Sequence, residues 1–278
     1  MELRHLDELS PLSRLRRGVA LGAHRVAGLP SLIRAPAAPL AQGDWPLLQG
    51  QRRVSLVSDD EDVDPRLEAG KRVNVSLAAP CFDGLALGPD APLSFWRQLG
   101  RIDRDRGFVA GRELRGGCVV PALGGGICLL ANALFQLGAQ LGWEVLQRHG
   151  HTLEARPCTD AIWGLDATVS WPQVDLRLRP THPVRLRVFI EEDSLVLQVH
   201  ARQAAPQVRL RAVVDHVEEH HGALFRSNVL LRDIDGRTEL LAHNRKRLLH
   251  GQGFERTCLS CERPACAARE ADLDRVVA

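Results

Sequence analysis

The architecture is organised around Gly124-Gly125-Gly126-Ile127-Cys128-Leu129-Leu130-Ala131-Asn132-Ala133-Leu134-Phe135. Three glycines in a row lack the β-carbon that disfavours positive φ, so they predict a tight turn. Ile127, Leu130, Leu134, Leu137 and Leu141 follow at spacings of three and four, which is one apolar helical face ending near Gly142. Cys128 therefore falls in the first helical turn. There, unpaired N–H groups and the positive end of the helix dipole favour the thiolate over the thiol. A nucleophilic cysteine is one reading. A packed structural thiol is the other, because free cysteine is among the most buried residue types.

Downstream, Trp143, Val145, Gln147, His149 and His151 occupy alternate positions and predict a strand with both histidines on one face. Asp166 to Trp171 alternates again, with Ala167, Val169 and Trp171 on one face and Asp166 on the other. Val184 to Ile190 and Leu195 to Val199 flank Glu192-Asp193-Ser194 and predict a hairpin. Val208 to His216 and Val229 to Asp233 predict two more strands, and Asp235-Gly236 a further turn. Upstream, Leu3 to about Leu32 has the pattern of a basic amphipathic helix, and Pro30 to Gly50 that of a proline-rich linker. Asp59 to Asp64 lacks the glycine and glutamate of a calcium loop and reads as a solvated turn. Arg72 to Leu87 reads as mixed extended and helical structure, while Leu93, Phe95 and Trp96 belong to the core. Arg101 to Arg115 is an arginine-rich loop or irregular hairpin suited to an anionic ligand. The expected architecture is α+β: N-terminal helices, then a central glycine-turn helix packed on a mostly antiparallel sheet. Its expected parts are a helical extension and linker over 1–50, an α+β domain over 51–250 and a cysteine-containing tail over 251–278.

These elements bring together the parts of an activated thiol. Cys128 is the candidate nucleophile, His149 or His151 the base, and Asp166 the group that orients the imidazole. Gly124, Gly125, Gly126 and Asn132, with the Cys128 N–H, are candidates for oxyanion or substrate binding. The order of cysteine, histidine and aspartate resembles that of the transglutaminase-like and papain-like enzymes. The same side chains also suit zinc, since two histidines one residue apart with a carboxylate and a thiolate are metal-ligand types. A separate metal candidate lies in the tail, where Cys258 and Cys261 form Cys-x2-Cys and Cys266 follows. His250, Cys81 or Cys158 would complete a zinc site there, or the cysteines would hold an iron–sulfur cluster.

Composition limits the function classes. The chain of 278 residues is 45% hydrophobic and 25% charged, ordinary values for a globular protein with a real core. A net charge of +2 and the absence of tyrosine argue against nucleic acid as a partner. A small-molecule or peptide-like substrate is expected instead. No apolar run is long enough to cross a bilayer, although the basic N-terminal helix suits peripheral contact with an anionic membrane. Glu2, Asp7 and Glu8 do not fit a signal peptide, and seven cysteines, an odd number, do not fit a disulfide framework. A reducing cytoplasm is the expected compartment.

Several motifs in order and spacing resemble the VanW family. They are Lys71-Arg72-Val73-Asn74-Val75-Ser76-Leu77-Ala78, Leu93-Ser94-Phe95-Trp96 with Gly100, and the Gly124 to Phe135 run. Arg148-His149-Gly150-His151-Thr152, Gly164-Leu165-Asp166-Ala167-Thr168 and Asp175-Leu176-Arg177 continue the series, so the resemblance covers about Val54 to Asn244. It implies an association with glycopeptide resistance and cell-envelope biology. Leu129 and Ala131 depart from the family's pattern, which has glutamine and serine there. If that glutamine serves substrate or oxyanion binding, this member has altered chemistry.

Overall fold

The structure, a computed structural model, describes residues 45–58, 64–115, 118–154 and 162–248. The chain runs through β1 (Leu47–Ser55), α1 (Pro65–Ala78), β2 (Ala86–Leu87), β3 (Leu93–Ser94), α2 (Phe95–Leu99), β4 (Ala110–Arg115), β5 (Cys118–Leu123) and α3 (Cys128–Gln140). It continues with β6 (Glu144–Gln147), β7 (Leu153–Glu154), β8 (Arg177–Arg179), β9 (Val184–Glu191), β10 (Ser194–Ala201), β11 (Val208–His220), β12 (Ala223–Ile234) and β13 (Arg237–Leu248). Strands dominate, and all named pairings are antiparallel except β13 with β7. Two four-stranded sheets have the orders β1-β10-β9-β2 and β11-β12-β13-β7. A three-stranded sheet, β3-β8-β6, and the β4-β5 hairpin complete the α+β arrangement.

The core forms around α3. Leu130, Leu134 and Leu137 are buried on the face read from the sequence, but Ala131, Phe135 and Gly138 are buried too, so the helix is enclosed. Each large apolar side chain fully withdrawn from water contributes about 1.5–3 kcal/mol. Gly138 keeps the helix close to its neighbours, because the Trp143 ring and Leu178 stand within 3.1 Å of where a β-carbon would lie. The β9-β10 hairpin forms as its alternation predicts, with Val188 opposite Leu197 and Leu186 opposite Val199, all buried. Leu93, Phe95 and Trp96 are buried as expected. Their motif is tied to another: Asp175 accepts from the Ser94 hydroxyl at 2.7 Å and from the Trp96 N–H at 3.1 Å.

Several boundaries differ from the sequence reading. β1 starts at Leu47, inside the expected linker, where Pro46 stands just before an edge strand and so removes no ladder bond. Arg72 to Leu87 holds both helix and strand as read, but the helix begins earlier: α1 is started by Pro65 at its first turn and by the Asp64 carboxylate, which accepts the Arg66 N–H at 2.9 Å. Asp166 to Trp171 makes only isolated bridges, because side chains from α3 and Arg148 take its backbone groups in place of a neighbouring strand. β11 and β12 extend beyond their expected ends, and β13 is a strand the pattern did not reveal. Its buried positions include Asn244 and Lys246, where alternation calls for apolar residues. The N-terminal helix, most of the expected linker, the acidic residues 59–63 and the tail cysteines lie outside the described residues.

The glycine turn is set by close backbone contact. Gly124 and Gly126 have φ of 77° and 96°, and a β-carbon on Gly125 would stand 2.4 Å from the Gly111 carbonyl group. Asn74 on α1 fixes the contact: its amide donates to the carbonyls of Gly125 and Val109 at 2.9 and 3.0 Å and accepts the Val109 N–H at 2.9 Å. Gly70, one turn earlier, lies against the Ala110 carbonyl. Gly125→Ala is expected to lower unfolding stability by about 1–3 kcal/mol through overpacking. Urea unfolding checks this, and an unchanged midpoint would show that the turn is not under this constraint.

Candidate functional site

Three polar residues on α3, spaced one turn apart, face the segment 165–169. The Cys128 thiol donates to the Val169 carbonyl at 3.6 Å, the Asn132 Oδ1 accepts the Ala167 N–H at 3.3 Å, and the Gln136 amide donates to the Leu165 carbonyl at 2.8 Å. The Thr168 hydroxyl also lies 3.4 Å from the Cys128 sulfur. This ladder holds an extended segment against a helix and places Asp166 and Thr168 on either side of Ala167. Asn132 thus spends its carbonyl oxygen on the backbone of the aspartate segment.

The two histidines separate. β6 ends at Gln147, and His149 remains exposed, bridging Thr168 through its backbone with its ring 3.3 Å from Gln147. His151 turns to the aspartate: its Nδ1 lies 2.5 Å from Asp166 Oδ2, and its backbone N–H donates to the same oxygen at 2.9 Å. Cys128 stands close enough for the His151 ring and the thiol to shift each other's titration. The His151 side chain retains 37% exposure, so a substrate group can approach it. Cys128, His151 and Asp166 are therefore brought together, and His149 is not.

Electrostatics favour an ion pair between thiolate and imidazolium. Burial opposes charge on His151 but is outweighed by its hydrogen bonds and Coulomb attraction to Asp166 and Cys128, which push its pKa up to about 9. Burial also opposes the Cys128 thiolate, yet His151 and the Thr168 hydroxyl lower the thiol pKa below its ordinary value. Asp166 is held well below the usual carboxylate range: burial raises its pKa, but His151 and Lys246 more than compensate.

Two cations not foreseen from the sequence complete the aspartate's surroundings. Arg148 Nη2 lies 3.3 Å from Asp166 Oδ1, and its guanidinium also donates to the Asp166 and Gly164 carbonyls at 2.6 and 2.8 Å. Lys246, on β13, brings its ammonium to 2.8 Å from the same carboxylate oxygen. Arg148 stands in the motif that contains His149 and His151, so its place in the sequence was a signal. Thr168, in the aspartate motif, was another. Lys246 had none.

The glycine turn divides its donors. The Gly124 N–H donates to the Val109 carbonyl at 3.0 Å and the Gly125 N–H to Ala122 at 2.8 Å, so both are engaged. Among the described residues, the N–H groups of Gly126 and Cys128 meet no protein acceptor. They stand at the start of a helix whose cap residue, Ile127, supplies no side-chain bond. Such donors suit a developing oxyanion. Among the described residues no group of three His, Cys, Asp or Glu side chains converges to hold a metal ion. Cys81 is a half-buried free thiol that lies 3.9 Å from the Arg106 guanidinium. Cys258, Cys261, Cys266, His250 and Cys158 fall outside the described residues.

Residues 70–200 match the family described as VanW like protein. The chain is 27% identical over 169 residues to the vancomycin B-type resistance protein VanW of Enterococcus faecalis, covering 59% of this chain and 62% of that protein. It is 28% identical over 130 residues to the uncharacterized protein YoaR of Bacillus subtilis, covering 46% of this chain and 42% of that one. The chain spans less than two thirds of the length of these curated relatives. No solved structure matches it.

Replacing Asp166 with asparagine removes the charge that stabilises the His151 imidazolium, so the His151 pKa is expected to fall and the Cys128 pKa to rise. Each unit of rise costs tenfold in thiolate below the midpoint. The pH dependence of Cys128 alkylation by iodoacetamide checks this, and an unmoved profile would refute the coupling.

Proposed function

We propose, for a chain that belongs to the VanW family, that Cys128 is the nucleophile of an enzyme acting on an amide or peptide bond. The observation that supports this best is a thiol at the uncapped start of a buried helix, beside a histidine whose second nitrogen is held by a buried carboxylate. The Cys128 thiolate attacks the substrate carbonyl carbon, and the C=O electron pair moves to oxygen, where the Gly126 and Cys128 N–H groups receive it. Collapse breaks the C–N bond as the His151 imidazolium gives its proton to the leaving nitrogen. A thioester remains on Cys128. Water then attacks it, His151 takes the water proton, and the C–S bond breaks to restore the thiolate. An amine acceptor in place of water would make the reaction a transfer.

The order of thiol helix, histidine segment and aspartate segment also supports kinship with transglutaminase-like or papain-like folds. The name of the enterococcal relative points to vancomycin resistance, and with it to peptide-like components of the cell envelope as the substrate class. The arginines of 101–115, several of them exposed, supply attraction for an anionic substrate. A cytoplasmic location suits a catalytic thiol that must stay reduced. Cys258, Cys261 and Cys266 are proposed to bind zinc or an iron–sulfur cluster on the strength of their spacing. Elemental analysis of the purified chain is expected to find zinc or iron that is lost on changing these cysteines to serine; a metal-free chain would dismiss that site.

With peptide amide and ester substrates, intact-protein mass spectrometry is expected to show an acyl adduct on Cys128, and Cys128→Ala to abolish both adduct and turnover while the protein stays folded. Full turnover by the alanine variant would refute the mechanism. Equal ligand binding by both forms, with turnover by neither, would favour a non-catalytic binding protein that uses the basic loop and glycine turn.

A further inference from the structure

Lysine is almost never fully buried unless paired, and Lys246 keeps only 9% of its side chain exposed. Its ammonium meets Asp166 Oδ1 and lies 5.3 Å from the centre of the Trp163 ring. The strand that carries it is fastened to the site at several points. Arg247, its neighbour on β13, pairs with Leu153 and donates its N–H to the Thr152 carbonyl at 2.9 Å, immediately after His151. Asn244, also on β13, donates to Asn228 on β12, whose amide in turn donates to the Trp163 carbonyl, each at 2.8 Å. Asn228, Asn244, Lys246 and Arg247 lie beyond the stretch 70–200 that matches the family.

The charges around Asp166 come from three segments. Arg148 follows β6, His151 precedes β7, and Lys246 belongs to β13. Glu154, a buried acid on β7, is bonded to the Trp163 indole N–H, and the Arg226 guanidinium lies 4.4 Å from the centre of the same ring. His151 itself faces Cys128 and Asp166. An aspartate without counter-charges would hold the imidazolium proton hard, and a general acid held too hard is slow to protonate a leaving nitrogen.

We infer that Lys246 is a positioning residue: it offsets part of the Asp166 charge, limits how firmly His151 holds its proton, and makes the C-terminal sheet part of the acid–base apparatus. The inference rests on the cysteine–histidine reading of the site. Lys246→Met removes the charge and keeps an apolar stem against Trp163, while Lys246→Gln keeps a hydrogen-bond donor for Asp166 without the charge. Either substitution leaves the carboxylate with Arg148 and the His151 imidazolium. The attraction of Asp166 for the imidazolium then grows.

The test is NMR titration of the full-length protein, with the His151 ring signal assigned by its loss in His151→Gln. In folded Lys246→Met and Lys246→Gln the His151 midpoint is expected to rise by roughly one pH unit. Lys246→Arg should restore it. Arg245→Met, which loses an equal charge from the Glu218 ion pair, should leave it unmoved. Thermal melting of each variant separates a loss of folding from a change in titration, and Lys246→Gln carries the test if Lys246→Met does not fold. A midpoint that stays or falls in a folded charge-free variant overturns the inference. Iodoacetamide labelling of the same samples separates the two levels of the argument. An ordinary, unreactive Cys128 in the unsubstituted protein would sink the cysteine–histidine reading and this inference together. A reactive Cys128 with an unmoved His151 midpoint would sink the inference alone.

Discussion

The buried carboxylate of Asp166 imposes the constraint on which the surrounding structure depends. An ion withdrawn from water costs several kcal/mol unless donors and opposite charges replace its hydration. Asp166 obtains them from Arg148, Lys246, and both the backbone and ring nitrogens of His151. Those groups arrive from the end of β6, the approach to β7, and β13. Satisfying one side chain therefore requires the histidine segment and the C-terminal sheet to dock against the same point. Fold and site share this interaction, so the residue that orients the histidine also joins two sheets.

Burial of α3 imposes a second demand. An enclosed helix cannot leave polar side chains without partners. Asn132 and Gln136 find theirs in the backbone of 165–169, and this segment in turn has less need of a neighbouring strand. Its irregular shape is the outcome. The ladder also fixes where Thr168 and the Val169 carbonyl stand against the Cys128 sulfur. A neutral thiol can donate to the carbonyl; a thiolate can instead accept from the hydroxyl. Both protonation states thus have a partner, which suits a group that changes state.

Local periodicity made much of this visible in the sequence. The apolar face of α3, the β9-β10 hairpin and the buried Leu93, Phe95 and Trp96 each follow from spacing within a few residues. Cys128 at the helix start and the pairing of a histidine with Asp166 were visible for the same reason. The choice between His149 and His151 was not, because strand alternation treats them alike. The ring that meets Asp166 is that of His151, with Arg148 gripping the backbone of Gly164 and Asp166 and His149 bridging Thr168. β13 escaped because its buried polar residues disguise its period, and Lys246 because a contact between residues so far apart in sequence leaves no local trace. Arg148 and Thr168 stood inside motifs whose chemistry had been assigned to their neighbours.

Stabilisation of an oxyanion illustrates how the two kinds of information combine. After the cysteine, Leu129 is half-buried on the core and Ala131 fully buried. Neither offers a hydrogen bond. In the proposed reaction the burden falls on main-chain donors, and the turn decides which ones remain: Gly124 and Gly125 give theirs to Val109 and Ala122, leaving those of Gly126 and Cys128. The close contact between Gly125 and Gly111 excludes a side chain at the turn that precedes these amides. In this chain the glycines act through geometry, and their function cannot be exchanged for a side chain without disturbing the packing that creates it.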